Sequence, residues 1–176
     1  MVSRSRADEE APPDPSPSDP PSSSALSKRL HRGVEGGLLG TVVMTVFRLP
    51  VTRSLPPSAD FWAQFVHGGR AMEYPAAGLL LHLLYGASAG ALFAAVLPSR
   101  ESVETSGGRR GPPTPVEQSS AGPLAVVFGV LLSVFGERIL VRGLLDIAPD
   151  DSYAFHVGHL VYGLTLGAWL ATRTDD

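Results

Sequence analysis

Long uncharged stretches alternate with short charged segments along this chain of 176 residues. Residues 74–99 and 152–172 contain no Asp, Glu, Lys or Arg. A helix in water needs a polar face, whereas about twenty consecutive apolar residues can cross the hydrocarbon of a bilayer. The pattern therefore predicts lipid as the solvent and an all-α, multi-pass integral membrane protein as the fold class.

Four membrane spans are predicted, and together they form a four-helix bundle over residues 30–173. The first span is long enough only if Arg48 near its end extends to the interface. Residues 1–29 are rich in proline, serine and acid, and predict a disordered tail. Residues 99–121 are a polar linker between the two halves. The predicted spans are residues 30–50, 75–98, 122–142 and 153–172.

A short amphipathic segment follows the first span. Phe61, Trp62, Phe65 and Val66 share one helical face. Aromatic residues on such a face are typical of a helix lying in the membrane interface. An ordinary helix in an extramembrane loop fits the same pattern, so both interpretations stand.

An internal repeat relates the second and fourth spans. Residues 82–91 and 159–168 share histidine, leucine, tyrosine, two glycines and alanine at the same spacing. Residues 40–48 and 129–137 correspond more loosely. Each copy holds two spans, which predicts two parallel helix-pair repeats with both termini on one side. The arginine distribution favours cytoplasmic termini in the cell membrane.

Glycines spaced four residues apart predict close packing of helices. Within lipid, such glycines let two helix backbones approach each other. The seams can lie within one chain or between two copies in a homo-oligomer. The predicted packing residues are Gly36, Gly40, Gly86, Gly90, Gly129, Gly163 and Gly167.

Several polar side chains within the spans form a candidate intramembrane cluster. One interpretation is packing, in which each histidine hydrogen-bonds to a neighbouring helix. The other is that His82 and His159 face each other as haem ligands, metal ligands or a proton relay. His156 and His159 are three residues apart, but no third metal ligand is evident, so no metal is predicted. The cluster consists of His82, Tyr85, His159, Tyr162, Arg48 and Glu137.

Two arrangements of Arg48 and Glu137 are possible, because the loose alignment gives them matching places in the repeats. Charges within a bundle are expensive unless paired, which favours a contact between them. Alternatively both lie at the interface, and Glu137 pairs locally near Arg138 and Arg142. The sequence does not decide between these arrangements.

Composition and motifs limit the function further. The chain has no cysteine, which excludes disulfides and thiolate metal sites. A net charge of -3 gives no signature of nucleic-acid binding. Motifs of hydrolases, phosphate-binding loops and zinc proteases are missing, so neither an enzyme nor a cofactor is predicted. The leading hypothesis is a structural or accessory membrane protein. The alternatives are a small carrier or pore with a His/Arg/Glu path and a bis-histidine haem protein.

Three motifs resemble small four-helix membrane proteins of unknown function common in haloarchaea, and the YagU-like inner-membrane proteins are similar in outline. The resemblance covers roughly residues 33–173. It implies a topology and no activity, and it assigns no functional residue. The motifs are the glycine-rich first span with Gly36, Gly40 and Met44, the Pro56-Pro57-Ser58 segment, and the sequence His82-x-x-Tyr85-Gly86.

Overall fold

A computed structural model describes residues 23–54, 56–97, 121–149 and 151–172. Every regular element within these ranges is helical, which confirms the all-α fold class. The long helices are α1 (Ser23–Thr52), α3 (Pro75–Val96), α4 (Ala121–Phe135) and α5 (Ser152–Thr172). A π-helical segment, Gly136–Leu144, continues α4. The short elements are α2 (Ser58–Trp62), a π-helical turn (Ala63–His67) and a 3-10 turn (Ala71–Glu73).

Within the described ranges, three helical segments are long and apolar enough to cross a membrane: Ser23–Thr52, Pro75–Val96 and Gly122–Leu144. Helix α5 has 21 residues and no charge, but its histidines and small residues leave it less apolar than the other three. The structure therefore gives three candidate spans where four are predicted. The fourth span remains a prediction.

Helix α1 begins earlier than predicted. It starts at Ser23, so residues 23–29 of the predicted tail are helical. Arg29, at the end of this added segment, ties it to α3, because its guanidinium donates hydrogen bonds to the carbonyl oxygens of Ala94, at 2.9 Å, and Leu97. The last carbonyl groups of a helix have no partner within it, and Arg29 satisfies two of them at the end of α3. Most of the predicted tail (residues 1–22) and most of the predicted linker (within residues 98–120) lie outside the described residues.

Helix α2 lies against the start of α3. The Ser58 hydroxyl donates a hydrogen bond to the Gly78 carbonyl oxygen at 2.6 Å. On the other face the Phe61 and Phe65 rings, 5.1 Å apart, are exposed together with Val66. An exposed aromatic face beside the start of a long apolar helix has the geometry expected of an interfacial helix.

Helix α5 is the most enclosed of the long helices. It packs against α1 on one side and α4 on the other, while α1 also packs against α3. Helices α3 and α4 meet through the Phe93 and Phe128 rings, whose centroids are 5.0 Å apart. Nine of the 21 residues of α5 are buried, against six of 22 in α3. Helix α5 therefore buries a larger share of its residues than α3 does, and fewer of its positions need to be apolar to face lipid.

In α1, α3 and α4 small residues predominate on the buried face and large apolar residues on the exposed face, whereas α5 also buries large side chains. The buried residues of α1 are mainly glycines, with Thr41 and Met44. On the outside of the same helix Leu38, Val42 and Val46 are exposed, Val46 by 62%. Helices α3 and α4 follow the same rule. Such an extensive apolar surface is unusual for a protein in water and normal for helices in lipid.

Candidate functional site

Two helix pairs are each closed by glycines. In the first pair, α1 and α3, a Cβ atom on Gly33 would lie 2.5 Å from the Gly90 carbonyl oxygen. A Cβ atom on Gly90 would lie 2.7 Å from the Gly37 Cα, and one on Gly37 would meet the Gly86 carbonyl. The obstacles are backbone atoms, so any side chain at these positions would push the helices apart.

The second pair, α4 and α5, repeats this arrangement. A Cβ atom on Gly129 would lie 3.2 Å from the Gly163 Cα. A Cβ atom on Gly167 would lie 3.0 Å from both the Ala125 Cβ and the Gly122 Cα. A Cβ atom on Gly129 or Gly163 would also meet a backbone carbonyl oxygen of the partner helix, so this seam is as close as the first and is looser only at Gly167.

Two further glycines join the pairs together. A Cβ atom on Gly36 would lie 2.9 Å from the Trp169 ring, and one on Gly40 would lie 2.9 Å from the Tyr162 ring. Aromatic side chains of α5 thus rest directly on the backbone of α1. All seven predicted packing glycines are buried against a helix of the same chain. None of these seven is left on the outside to form a seam with a second copy.

The structure brings four of the six predicted polar residues together. His82, Tyr85, His159 and Tyr162, here termed the central cluster, line a cavity of about 10 Å³. The Tyr162 hydroxyl donates a hydrogen bond to the Gly86 carbonyl oxygen at 2.8 Å, linking α5 to α3. The Tyr85 hydroxyl is buried without a hydrogen-bond partner among the described residues.

His159 has its tautomer fixed by its backbone contact. Its Nδ1 lies 2.9 Å from the Phe155 carbonyl oxygen, which can only accept, so Nδ1 carries the proton. In the neutral imidazole Nε2 is then an acceptor. His159 is 5% exposed, so the acceptor is enclosed by the helices around the central cluster.

The size of the cavity restricts what the central cluster can hold. A cavity needs about 10–15 Å³ to contain one water molecule. A haem macrocycle is far larger, so the bis-histidine haem arrangement does not fit this packing. No group of three potential ligands suited to a metal ion occurs among the described residues. The residues of the central cluster can therefore hydrogen-bond to each other or to the backbone, and the cavity has room for at most one molecule as small as water.

The side chain of Arg48 extends from α1 across α5, where Gly158 leaves room for it. A Cβ atom on Gly158 would be 2.8 Å from the Arg48 Cδ, and the guanidinium carbon is 5.6 Å from the centroid of the Phe155 ring. Arg48 and His82 both line an open groove of about 300 Å³ between the end of α1 and the start of α3. His82 also lines the central cavity, so it connects the two spaces.

Glu137 is held within the second helix pair. Arg142 donates to its Oε1 at 2.7 Å and Ser152 donates to the same oxygen at 3.1 Å. His156 Nε2 lies 2.8 Å from Oε2. Glu137, Arg142, Ser152 and His156, here termed the carboxylate cluster, correspond to the local alternative for Glu137. Arg142 follows Glu137 by five residues, the hydrogen-bonding interval of the π-helical segment that contains both.

Ser133 extends the carboxylate cluster into a relay that the sequence reasoning missed. Its hydroxyl donates to the Val130 carbonyl oxygen at 2.7 Å and lies 2.9 Å from His156 Nδ1. Ser133, His156 and Glu137 thus have the residue types of a hydrolase triad. Ser133 is 1% exposed and its hydroxyl donates to the Val130 carbonyl oxygen. The three residues therefore form a buried hydrogen-bonded chain, and Ser133 is not presented to a substrate as a nucleophile. The four-residue spacing of Ser133 and Glu137 was the available signal.

Comparison with known proteins leaves this geometry as the basis for interpretation. No protein-family model, curated protein or solved structure matches the chain. The resemblance to haloarchaeal four-helix membrane proteins therefore stays a prediction. The proposals below depend on the contacts of the described residues alone.

Proposed function

We propose that the protein is a four-span integral membrane protein with a structural or accessory role. The observation that carries the proposal is the distribution of side chains on α1, α3 and α4, whose buried faces are mostly small residues while Leu, Val and Phe are exposed on the outside. In water the outer surface would favour aggregation, whereas in lipid it costs nothing and the glycine seams hold the helices together.

The dimensions and surroundings of α5 support its role as the fourth span. At 1.5 Å per residue its 21 residues extend about 32 Å, enough for a hydrocarbon core of about 30 Å. Tyr153 near its start is 79% exposed, and Trp169 lies near its end, as in the aromatic belts of membrane spans. Its buried polar residues, His159 and Tyr162, lie against the neighbouring helices and would be shielded from lipid.

The proposed topology places both termini and residues 99–121 on the cytoplasmic side of the cell membrane. The turn between α1 and α3 and the turn before α5 then face the other side. The similar glycine contacts of the two helix pairs support their origin as parallel repeats.

Single-cysteine labelling tests this topology, and the chain has no native cysteine to remove. In right-side-out vesicles we expect a membrane-impermeant maleimide to label Met72→Cys and Asp151→Cys. Ser106→Cys and Thr174→Cys should react only after detergent is added. The comparison of Asp151→Cys with Thr174→Cys is decisive for α5, because labelling of both without detergent would mean that α5 does not cross the membrane.

A small carrier or pore is the second candidate, and the position of His82 between the groove and the central cavity favours it. Only a species as small as a proton or water suits the central cavity. Proton flux into liposomes containing the protein, followed with an enclosed pH dye, tests this function. A carrier predicts flux that His82→Ala abolishes and that the exposed control His31→Ala retains. Flux equal to that of protein-free liposomes would exclude it.

A further inference from the structure

The groove between the end of α1 and the start of α3 is lined mainly by apolar atoms, with a few polar side chains among them. Leu49, Pro75 and Leu79 form much of the wall, while Arg48, Ser54 and His82 supply polar groups. Its volume of about 300 Å³ lies at the lower end of the range of small-molecule sites. Such a lining suits an amphiphile better than a polar solute or a pure hydrocarbon.

Arg48 defines the charge that the groove would accept. A guanidinium has five N–H donors in a planar fork, so it can hold a phosphate in two-point contact in addition to other partners. The Phe155 ring and the space left at Gly158 fix the direction of its side chain. The hydroxyls of Thr45 and Thr52 in the same wall donate to the carbonyl oxygens of Thr41 and Arg48. Arg48 is therefore the principal group for an anion.

The depth of the groove points to the source of the ligand. It lies where α1 ends and α3 begins. Helix α2 and the π-helical turn after it lie next to the groove and expose Phe61 and Phe65. In the proposed topology this is the level of lipid headgroups on the side opposite the termini. Leu49 and Leu79 are 53% and 42% exposed, so the apolar wall opens outward to the surrounding lipid.

We propose that this groove binds one anionic phospholipid, with its phosphate on Arg48 and the upper part of an acyl chain against Leu49 and Leu79. The inference rests on the membrane embedding proposed above. Basic pockets between membrane helices hold anionic headgroups by the same combination of charge and shape. The lipid covers the gap between the ends of α1 and α3.

Native mass spectrometry of the purified full-length protein tests the proposal, with phosphatidylglycerol, phosphatidylcholine and inorganic phosphate as probes. We expect a single phosphatidylglycerol to be retained at least about tenfold more strongly than phosphatidylcholine. Arg48→Gln should lower that retention about tenfold, since it removes a charge-assisted two-point contact. Arg53→Gln, at an exposed residue outside the groove, should leave it unchanged. Equal losses in the two variants would indicate non-specific surface charge and overturn the proposal.

A second variant tests the apolar wall without altering charge. Leu79→Trp should fill the groove and lower phosphatidylglycerol retention, while Leu80→Trp on the outside of α3 should not. Displacement of the lipid by millimolar inorganic phosphate, or no effect of Leu79→Trp, would mean that the groove is not a lipid site. Cysteine labelling reports membrane insertion independently, so a failed lipid site and a failed topology are distinguishable.

Discussion

The two helix pairs both pack through glycines along their length, but they differ in structure at their ends. In both, glycines bring the backbones into contact: Gly33 and Gly90 in one pair, Gly129 and Gly163 in the other. Helix α1 remains α-helical to Thr52, whereas α4 becomes π-helical at Gly136. The charged side chains of the two pairs also differ. Arg48 extends from α1 to the other pair, where it packs against α5, whereas Glu137 is held within its own pair. Glycine spacing thus specifies the seams, while local helix geometry decides where a charge goes.

The contacts between the pairs are also unlike each other. Helix α1 meets α5 through Gly36 and Gly40, but α3 meets α4 through the Phe93 and Phe128 rings. A true twofold axis would make these contacts equivalent. In the loose alignment Gly36 corresponds to Ala125, which packs against Gly167 within its own pair. The repeat is therefore visible within the pairs and not in the way the pairs meet.

Alanine substitution at corresponding glycines gives the largest expected difference. Gly90→Ala should destabilise the protein by about 1–3 kcal/mol, because its Cβ would press on the backbone of Gly33 and Gly37. Gly167→Ala should cost less, since its nearest neighbours would be 3.0 Å away. The free energy of unfolding in mixed micelles measures both. Gly122→Ala, with open space around the added Cβ, is the control and should be neutral or slightly stabilising. Equal effects at Gly90 and Gly167 would mean that the two positions are equally tightly packed, contrary to the structure.

The carboxylate cluster supplies a smaller test of the difference at the helix ends. Glu137→Gln should lower the free energy of unfolding by about 1–2 kcal/mol, because it weakens the charge-assisted hydrogen bonds that the carboxylate accepts from Arg142 and His156. Glu73→Gln, in an exposed pair with Arg70, is the matched control and should change it very little. Similar values for the two variants would mean that the carboxylate cluster contributes nothing to the second pair.

Tyr162 and Tyr85 occupy equivalent repeat positions and give the smallest expected difference. Tyr162→Phe removes the hydrogen bond to the Gly86 carbonyl and should cost about 0.6–1 kcal/mol. Tyr85→Phe should be neutral or slightly stabilising, because that buried hydroxyl has no partner in the described part of the chain. Thermal unfolding in detergent, followed by tryptophan fluorescence, compares them. A larger loss for Tyr85→Phe would contradict the assigned hydrogen bonding.

Glycine spacing, histidine–tyrosine spacing and uncharged length are local properties, and they pointed to residues that lie together in the structure. The sequence did not reveal features that depend on tertiary contacts. The contact of Arg29 with the end of α3 joins residues 65 positions apart. The contact between Ser133 and His156 joins residues 23 positions apart. Gly33 and Gly37 were missed as packing residues, because the choice of face on α1 depends on which helices surround it.

Alkaline carbonate extraction of membranes from expressing cells tests the central claim, that lipid surrounds the apolar outer face, most directly. We predict that the protein stays in the pellet after carbonate washing and ultracentrifugation and enters the supernatant only with detergent. Recovery of the folded protein in the detergent-free supernatant would contradict the membrane fold, the topology and the lipid site together.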